Sequence, residues 1–271
     1  MALEKAQYWT DLYYDVVKHY FWRPQDIGRK APPSPKPRRP GWDHWRNRLR
    51  AQEAPLNHMM DFLFHVAPDE LLNNTISALL PEPKSGLQLV APTKGTIDPK
   101  IVQPDIILSN EDSLVFVEMK VDSQSSVDQF AKYAIAAHWI LKAERSYTSV
   151  DLVVLSRYGN HLQVWKDAKK LGLSDGAAVR QLALRGLAGD PGVWKQKGVP
   201  RFVRNNPEAV PSLVNHVKSM GLHLSGYEAL AGELIAYRAK EGKTVGRLID
   251  GILEEFRRRG LTGPAVRAAA G

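Results

Sequence analysis

The chain has 271 residues, with 37 Lys and Arg against 29 Asp and Glu, a formal net charge of +8, and 44% hydrophobic residues. The apolar share excludes wholesale disorder, and the length suits one large domain or two small ones. With no cysteine, a disulfide framework, an iron–sulfur cluster, a zinc ribbon and a thiol nucleophile are all excluded.

Residues 3–22 read as a helix, because Trp9, Leu12, Tyr13, Val16 and Tyr20 share one helical face. So aromatic a helix suits either core packing or an interface with a second copy or a partner protein. Glu4, Asp11 and Asp15 interrupt any apolar core that a signal peptide would need. No run approaches the ~18 apolar residues of a membrane span, so a soluble, cytoplasmic protein is expected. Residues 31–40 hold five of the 18 prolines, which predicts a linker or an extended arm. Directly after it, Trp42 and Trp45 interleave with Arg46, Arg48 and Arg50.

Residues 55–66 and 69–80 read as two helices, the second stopped by Pro81 and Pro83. Residues 86–92 alternate as a strand does, and 102–108 and 114–121 are β-rich around a polar turn. In 114–121 both faces are apolar, Leu114 and Phe116 on one, Val115, Val117 and Met119 on the other. That is the pattern of a central strand covered on both sides. A helix is predicted over 126–142, where Ser126 followed by Gln129 forms a capping box and Phe130, Ala134, Ala137 and Leu141 make the apolar stripe. Residues 150–156 form another buried strand, and Gly159-Asn160 predicts a turn into a short partner strand at 161–165. Prolines 191, 200, 207 and 211 break residues 170–226 into short helices and loops. Residues 227–240 and 244–260 read as final helices, with Arg257, Arg258 and Arg259 at the negative dipole end and Gly260 as the stop. Strand, helix and strand over 114–156 make a right-handed crossover, so the sheet is expected to be mixed.

The charge is unevenly spread. Residues 1–50 carry a net +6, residues 51–150 a net −6 and residues 151–271 a net +8. An acidic middle between basic flanks is either a cation site or acidic surface.

The chemistry concentrates in that middle. Pro104-Asp105 is followed 13 residues later by Glu118-Met119-Lys120. Glu118 and Lys120, two apart at a strand end, point to one face. Two carboxylates in a cleft repel each other, and a Mg²⁺ or Mn²⁺ between them removes the conflict. A metal so held polarises a phosphoryl oxygen and acidifies its water. Lys120 then orients or helps deprotonate that water and offsets transition-state charge. The competing reading is a surface ion pair at a fraying strand end.

Pro104-Asp105, Glu118-Met119-Lys120 and the following Gln129-Phe130-Ala131-Lys132-Tyr133 together resemble the PD-(D/E)XK nuclease superfamily, the restriction-endonuclease-like fold. The predicted helix, three strands, helix and strand match that family's αβββαβ core over about residues 53–157. The resemblance implies a divalent-metal-dependent nuclease, acting on DNA in preference to RNA, in restriction, anti-phage defence or repair. It assigns Asp105 and Glu118 as metal ligands and Lys120 as the catalytic lysine. Glu53, with Asp61 and Glu70 as alternatives, is the further acid on the first core helix. Gln129 and Tyr133 resemble a helix motif that flanks the site, although Gln129 also reads as a capping residue and Tyr133 as core.

The expected organisation is an aromatic helix and Pro/Arg-rich arm over 1–50, a nuclease core over 51–165 and a mainly helical region over 166–271. Within the arm, Arg38, Arg39, Trp42, Trp45, Arg46, Arg48 and Arg50 could grip phosphates and stack on bases, or form a plain basic linker. The eight histidines lack metal-binding spacing, and no Walker or dinucleotide-binding loop is present. A catalytically silent nucleic-acid-binding or assembly module on the same fold is the alternative.

Overall fold

The computed structural model describes residues 8–17, 42–91, 94–143 and 146–263. Four helices come first: α1 (Trp9–Val16), α2 (Trp42–Arg50), α3 (Glu53–Val66) and α4 (Asp69–Ser77). Three strands follow, β1 (Gln88–Leu89), β2 (Ile106–Ser109) and β3 (Ser113–Lys120), and then α5 (Val127–Ala143) and β4 (Ser149–Ser156). After β4 come α6 (His161–Val164), α7 (Ala168–Leu171), α8 (Gly176–Leu187), α9 (Gly198–Asn205) and α10 (Val210–Ser219). The last elements are β5 (Gly221–Gly226), α11 (Tyr227–Arg238) and α12 (Lys243–Arg258).

The sheet is five-stranded and mixed, in the order β1-β2-β3-β4-β5. β1, β2 and β3 pair antiparallel, whereas β4 lies parallel to β3 and β5 parallel to β4. Helix α5 makes the crossover that a parallel β3–β4 pair requires. Its start follows the capping signal, as the Gln129 N–H donates to Ser126 Oγ at 3.2 Å.

Both faces of β3 are covered. Leu114 and Phe116 pack with Phe130, Tyr133 and Ala137 of α5 and with residues of α8 and α10. Val115, Val117 and Met119 pack against Leu56 of α3, Leu71 of α4 and residues of α11 and α12. Phe116 is fully buried, its ring 5.2 Å from that of Tyr133. Cutting it back to alanine would cost about 3–5 kcal/mol through lost burial and the cavity left behind.

Two segments depart from the sequence reading. Of residues 161–165, 161–164 form α6 rather than a strand, because Asn160 accepts a hydrogen bond from the Gln163 N–H at 3.1 Å and caps a helical turn. Only Trp165 retains a bridge, parallel to Ser125. Conversely, residues 221–226, expected among loops, form β5, so the sheet draws a strand from the region assigned as mainly helical. Gly-Leu-His-Leu-Ser-Gly has little strand propensity, but it pairs with β4 from Asp151↔Gly221 to Ser156↔Gly226.

The C-terminal arginines do more than complement a helix dipole. Glu255, fully buried on α12, accepts from the Tyr14 hydroxyl at 2.9 Å, Arg50 Nε at 3.2 Å and Arg259 Nε at 3.3 Å. Arg259 also donates to the Gln52 carbonyl at 2.8 Å, and Arg258 pairs with Asp11 at 2.5 Å. These bonds tie α1, α2 and the start of α3 to the end of α12. Gly260 takes a positive φ of 63° and ends that helix as read. Among the described residues, no helix is long and apolar enough to cross a membrane.

Candidate active site

The acidic motif residues meet where β3 ends. Period-two alternation turns Glu118 and Lys120 toward the α5 side, as expected, and both follow Phe116 on that face. Lys120 Nζ lies 2.5 Å from Glu118 Oε1 and 3.2 Å from Glu53 Oε2. Glu53 reaches it from the first turn of α3, whose start is pinned by the Arg259–Gln52 bond described above. The other Glu118 oxygen accepts from the Tyr133 hydroxyl, and the other Glu53 oxygen from Ser123 Oγ.

Asp105, one residue before β2, completes the group. Its Oδ2 accepts the Met119 N–H at 2.8 Å and its Oδ1 accepts Asn57 Nδ2 at 2.6 Å. Carboxylates from α3 and β3 thus contact one ammonium, and the charge of Asp105 acts on it as well. The electrostatics follow: burial first, and then the negative Glu118, push the Asp105 carboxyl up to about 7. Burial works against the charge on Lys120, but Glu118, Glu53 and Asp105 outweigh it and hold the ammonium above its ordinary value. Lys120 therefore stays protonated at neutral pH, which suits a charge that orients and stabilises rather than a base. Burial and Glu118 also raise the Tyr133 phenol, so it remains a hydrogen-bond donor.

Among the alternatives for the first-helix acid, only Glu53 reaches Lys120. Asp61 is exposed and pairs with His65 at 3.5 Å, and Glu70 is exposed on α4. Gln129 stands half-buried on the first turn of α5, one turn from Tyr133. Asp105 and Glu118 have the oxygen chemistry of hard-cation ligands. Among the described residues, no group of three or more His, Cys, Asp or Glu is gathered closely enough to hold a metal on its own.

Three participants escape the sequence reading. Asn57 sits one helical turn after Glu53 on the same face, a spacing that could have found it. Ser123 lies three residues past Lys120 in a turn and carries no sequence signal. Tyr227, at the start of α11, is fully buried, and no hydrogen-bond partner for its hydroxyl lies among the described residues. Burial and the nearby Glu53, Asp105 and Glu118 charges raise its phenol as well.

The basic arm fares differently. Arg38 and Arg39 lie outside the described residues. Trp42 and Trp45 fall on α2, where their side chains are not among those described, and Arg46 and Arg48 follow on the same helix. Residues 42–50 are thus helical, and the 31–40 stretch read as a linker or extended arm lies outside the described residues. Arg50 is committed inward: it pairs with Asp11 at 3.2 Å and Glu255 at 3.2 Å and stacks over the Tyr14 ring. That correction removes it from the phosphate-binding set. Helix α1 also turns inward, with Trp9 Nε1 donating to the Leu248 carbonyl at 2.9 Å, while Leu12 and Val16 remain exposed. Among protein-family models, curated proteins and solved structures, none matches the chain.

Proposed function

We propose that the chain is a divalent-metal-dependent nuclease with a restriction-endonuclease-like core, hydrolysing phosphodiester bonds in DNA. The observation that carries this reading is the meeting of Glu118 and Glu53 on the Lys120 ammonium at the end of a buried strand, with Asp105 bonded to the Met119 N–H between them. The mixed sheet with a helical crossover between β3 and β4 is consistent with that core. Asp105 and Glu118 would hold Mg²⁺ or Mn²⁺, with Glu53 alongside. A carboxyl whose proton affinity is raised by burial and by a neighbouring carboxylate, as that of Asp105 is by Glu118, suits such an ion. When bound, the ion polarises the phosphoryl oxygen and acidifies a coordinated water.

The chain's own groups supply the rest. Lys120 offsets negative charge as the phosphorus centre becomes five-coordinate and orients the attacking water. Tyr133 and Asn57 hold Glu118 and Asp105 in place. Incubation with plasmid and single-stranded DNA in Mg²⁺, Mn²⁺ or EDTA tests the reading beside Glu118→Gln and Lys120→Ala. Metal-dependent cleavage lost in both variants is expected. No cleavage by the wild type on any substrate, or undiminished cleavage by both variants, would sink it.

A second reading is a silent nucleic-acid-binding module on the same fold. It is favoured by the saturation of Lys120 with two carboxylate partners and by the lack of a tighter ligand cluster among the described residues.

A further inference from the structure

Beside the acid cluster lies a cleft of about 610 Å³, lined in part by Ser123, Gln124, Tyr158, Leu162, Gln163 and Lys166. Its size is within the range of about 300–1,000 Å³ typical of clefts that enclose small ligands. The cleft and the acid cluster share a wall, because Ser123 lines the one and donates to Glu53 in the other. Its floor is held by backbone bonds. The Ser125 N–H donates to the Val164 carbonyl at 2.8 Å and the Lys166 N–H to the Ser125 carbonyl at 2.8 Å. Across it, Gln124 Nε2 donates to the Gln163 carbonyl at 2.8 Å.

The lining pairs an aromatic ring and an apolar side chain with a cation, and its carboxylate, Asp122, is paired with Arg157 at 3.1 Å. Tyr158 is half-buried, Leu162 is 49% exposed for no evident packing reason, and Lys166 is exposed. The cation does not stand alone. Residues 164–204 carry nine Lys and Arg against three aspartates. Lys169, Lys170, Lys197 and Arg201 are exposed among them. This segment is anchored beside the site, since Asp128 on the first turn of α5 accepts the Lys195 N–H at 3.2 Å and the Gln196 N–H at 3.0 Å. Lys132, from the next turn of α5, also bonds Gln196. The basic residues that accompany Lys166 thus come from the chain after β4.

We infer that this cleft receives an unpaired nucleotide, its base against Tyr158 and Leu162 and its phosphates along Lys166 and the basic 164–204 segment, so that the substrate is single-stranded nucleic acid. Bases in a duplex are stacked and turned inward, and a cleft of this size takes a base only from a single strand or from an extruded nucleotide. Stacking on one aromatic with a cationic track is the arrangement by which proteins hold single strands without reading sequence. The inference rests on the nuclease reading for its chemistry, but binding is measurable without cleavage.

The test is fluorescence anisotropy of the full chain with a labelled 12-nucleotide oligo(dT), its oligo(U) counterpart and a blunt 12-base-pair duplex, all in EDTA. The expected result is at least tenfold tighter binding of the single strands than of the duplex. Tyr158→Ala weakens single-strand binding about tenfold, in line with the loss of one base–aromatic stack, while Tyr158→Phe leaves it unchanged. Leu162→Glu, at an exposed position, does the same without altering thermal unfolding, which guards against a Tyr158→Ala chain that fails to fold. Lys166→Ala weakens binding less at high salt than at low salt. Oligo(dT) and oligo(U) binding alike supports the inference for single strands in general. Equal affinity for strand and duplex, or Leu162→Glu and Tyr158→Ala chains that fold and bind as the wild type does, would overturn it. A chain that binds single strands as described yet cleaves nothing in Mg²⁺ or Mn²⁺ supports the cleft and sinks only the nuclease reading.

Discussion

At the carboxyl end of β3, Glu53 and Glu118 pair with the Lys120 ammonium and Asp105 lies close by; at the amino ends of β3, β4 and β5, Asp151 faces two basic groups. His223 Nε2 donates to Asp151 Oδ1 at 2.8 Å, and Lys84 Nζ lies 3.1 Å from Asp151 Oδ2. Lys84 also donates to Ser149 Oγ at 2.8 Å and Ser113 Oγ at 3.1 Å. Gly221 leaves the space this cluster needs, since a Cβ there would collide with both Asp151 and His223. Burial works to raise the Asp151 carboxyl, yet the bonds from His223 and Lys84 outweigh it and hold it below its ordinary value. Asp105, at the other end, is pushed up to about 7. One sheet thus carries a satisfied polar cluster and an unsatisfied one. The satisfied cluster is balanced within the fold, whereas surplus negative charge in a buried site is what the proposed cation would offset.

The largest effect expected of this contrast is on the proposed nuclease activity. Lys120→Ala should reduce metal-dependent cleavage by about 10³-fold, the order found when one preorganised charge is removed from a transition state. An Asp151→Ala chain that remains folded should cleave within a few-fold of the wild type, measured on the same DNA.

Next comes stability, with opposite signs at the two ends. In the unfolded chain Asp105 titrates near ~3.9. In the folded, metal-free chain it titrates at about 7. Between those values the folded state binds the extra proton, so this group's contribution falls as pH rises from about 4 to 7. Asp105→Asn should remove that slope and stabilise the chain at pH 7 in EDTA by on the order of 2 kcal/mol while abolishing cleavage. An asparagine also suits the site, because Asn57 can turn its unbonded Oδ1 toward it. Urea unfolding at several pH values checks the sign.

Asp151 should behave in the reverse sense. Its carboxyl is depressed, so its stabilisation is present above the ordinary carboxyl range and is lost as pH falls through its lower folded value. Asp151→Asn should cost about 1–3 kcal/mol at pH 7, read from the same urea curves.

The smallest effect concerns one oxygen. Tyr227→Phe removes a buried hydroxyl near the acids and should raise the thermal midpoint, by up to about 1 kcal/mol of stability. A lowered midpoint would place a bonded partner on that hydroxyl.

Much of the architecture was legible along the chain. The two-sided apolar pattern of 114–119 marked β3 as central, and Ser126 with Gln129 marked the start of α5, because both signals depend on neighbours within one element. The pairing of Glu118 with Lys120 followed from strand periodicity alone. Segments governed by distant partners were less legible. Residues 221–226 become a strand only because β4 offers its free edge, and residues 161–164 coil because Asn160 caps them. Arg50 resembled a phosphate-binding group until Glu255, 205 residues away, claimed it.

For the site, sequence was enough to put Glu118 and Lys120 on one face of β3, since local alternation decides which way each side chain points, whereas Asp105 comes beside them only because β2 pairs with β3. That Glu53 rather than Asp61 or Glu70 joins them was settled by packing: Arg259 holds the start of α3 across more than two hundred residues of chain. Proton affinities were settled there too. A carboxyl's pKa depends on which charges and how much water surround it in space, and the two aspartates, alike in sequence, were driven in opposite directions by the partners the fold assembled.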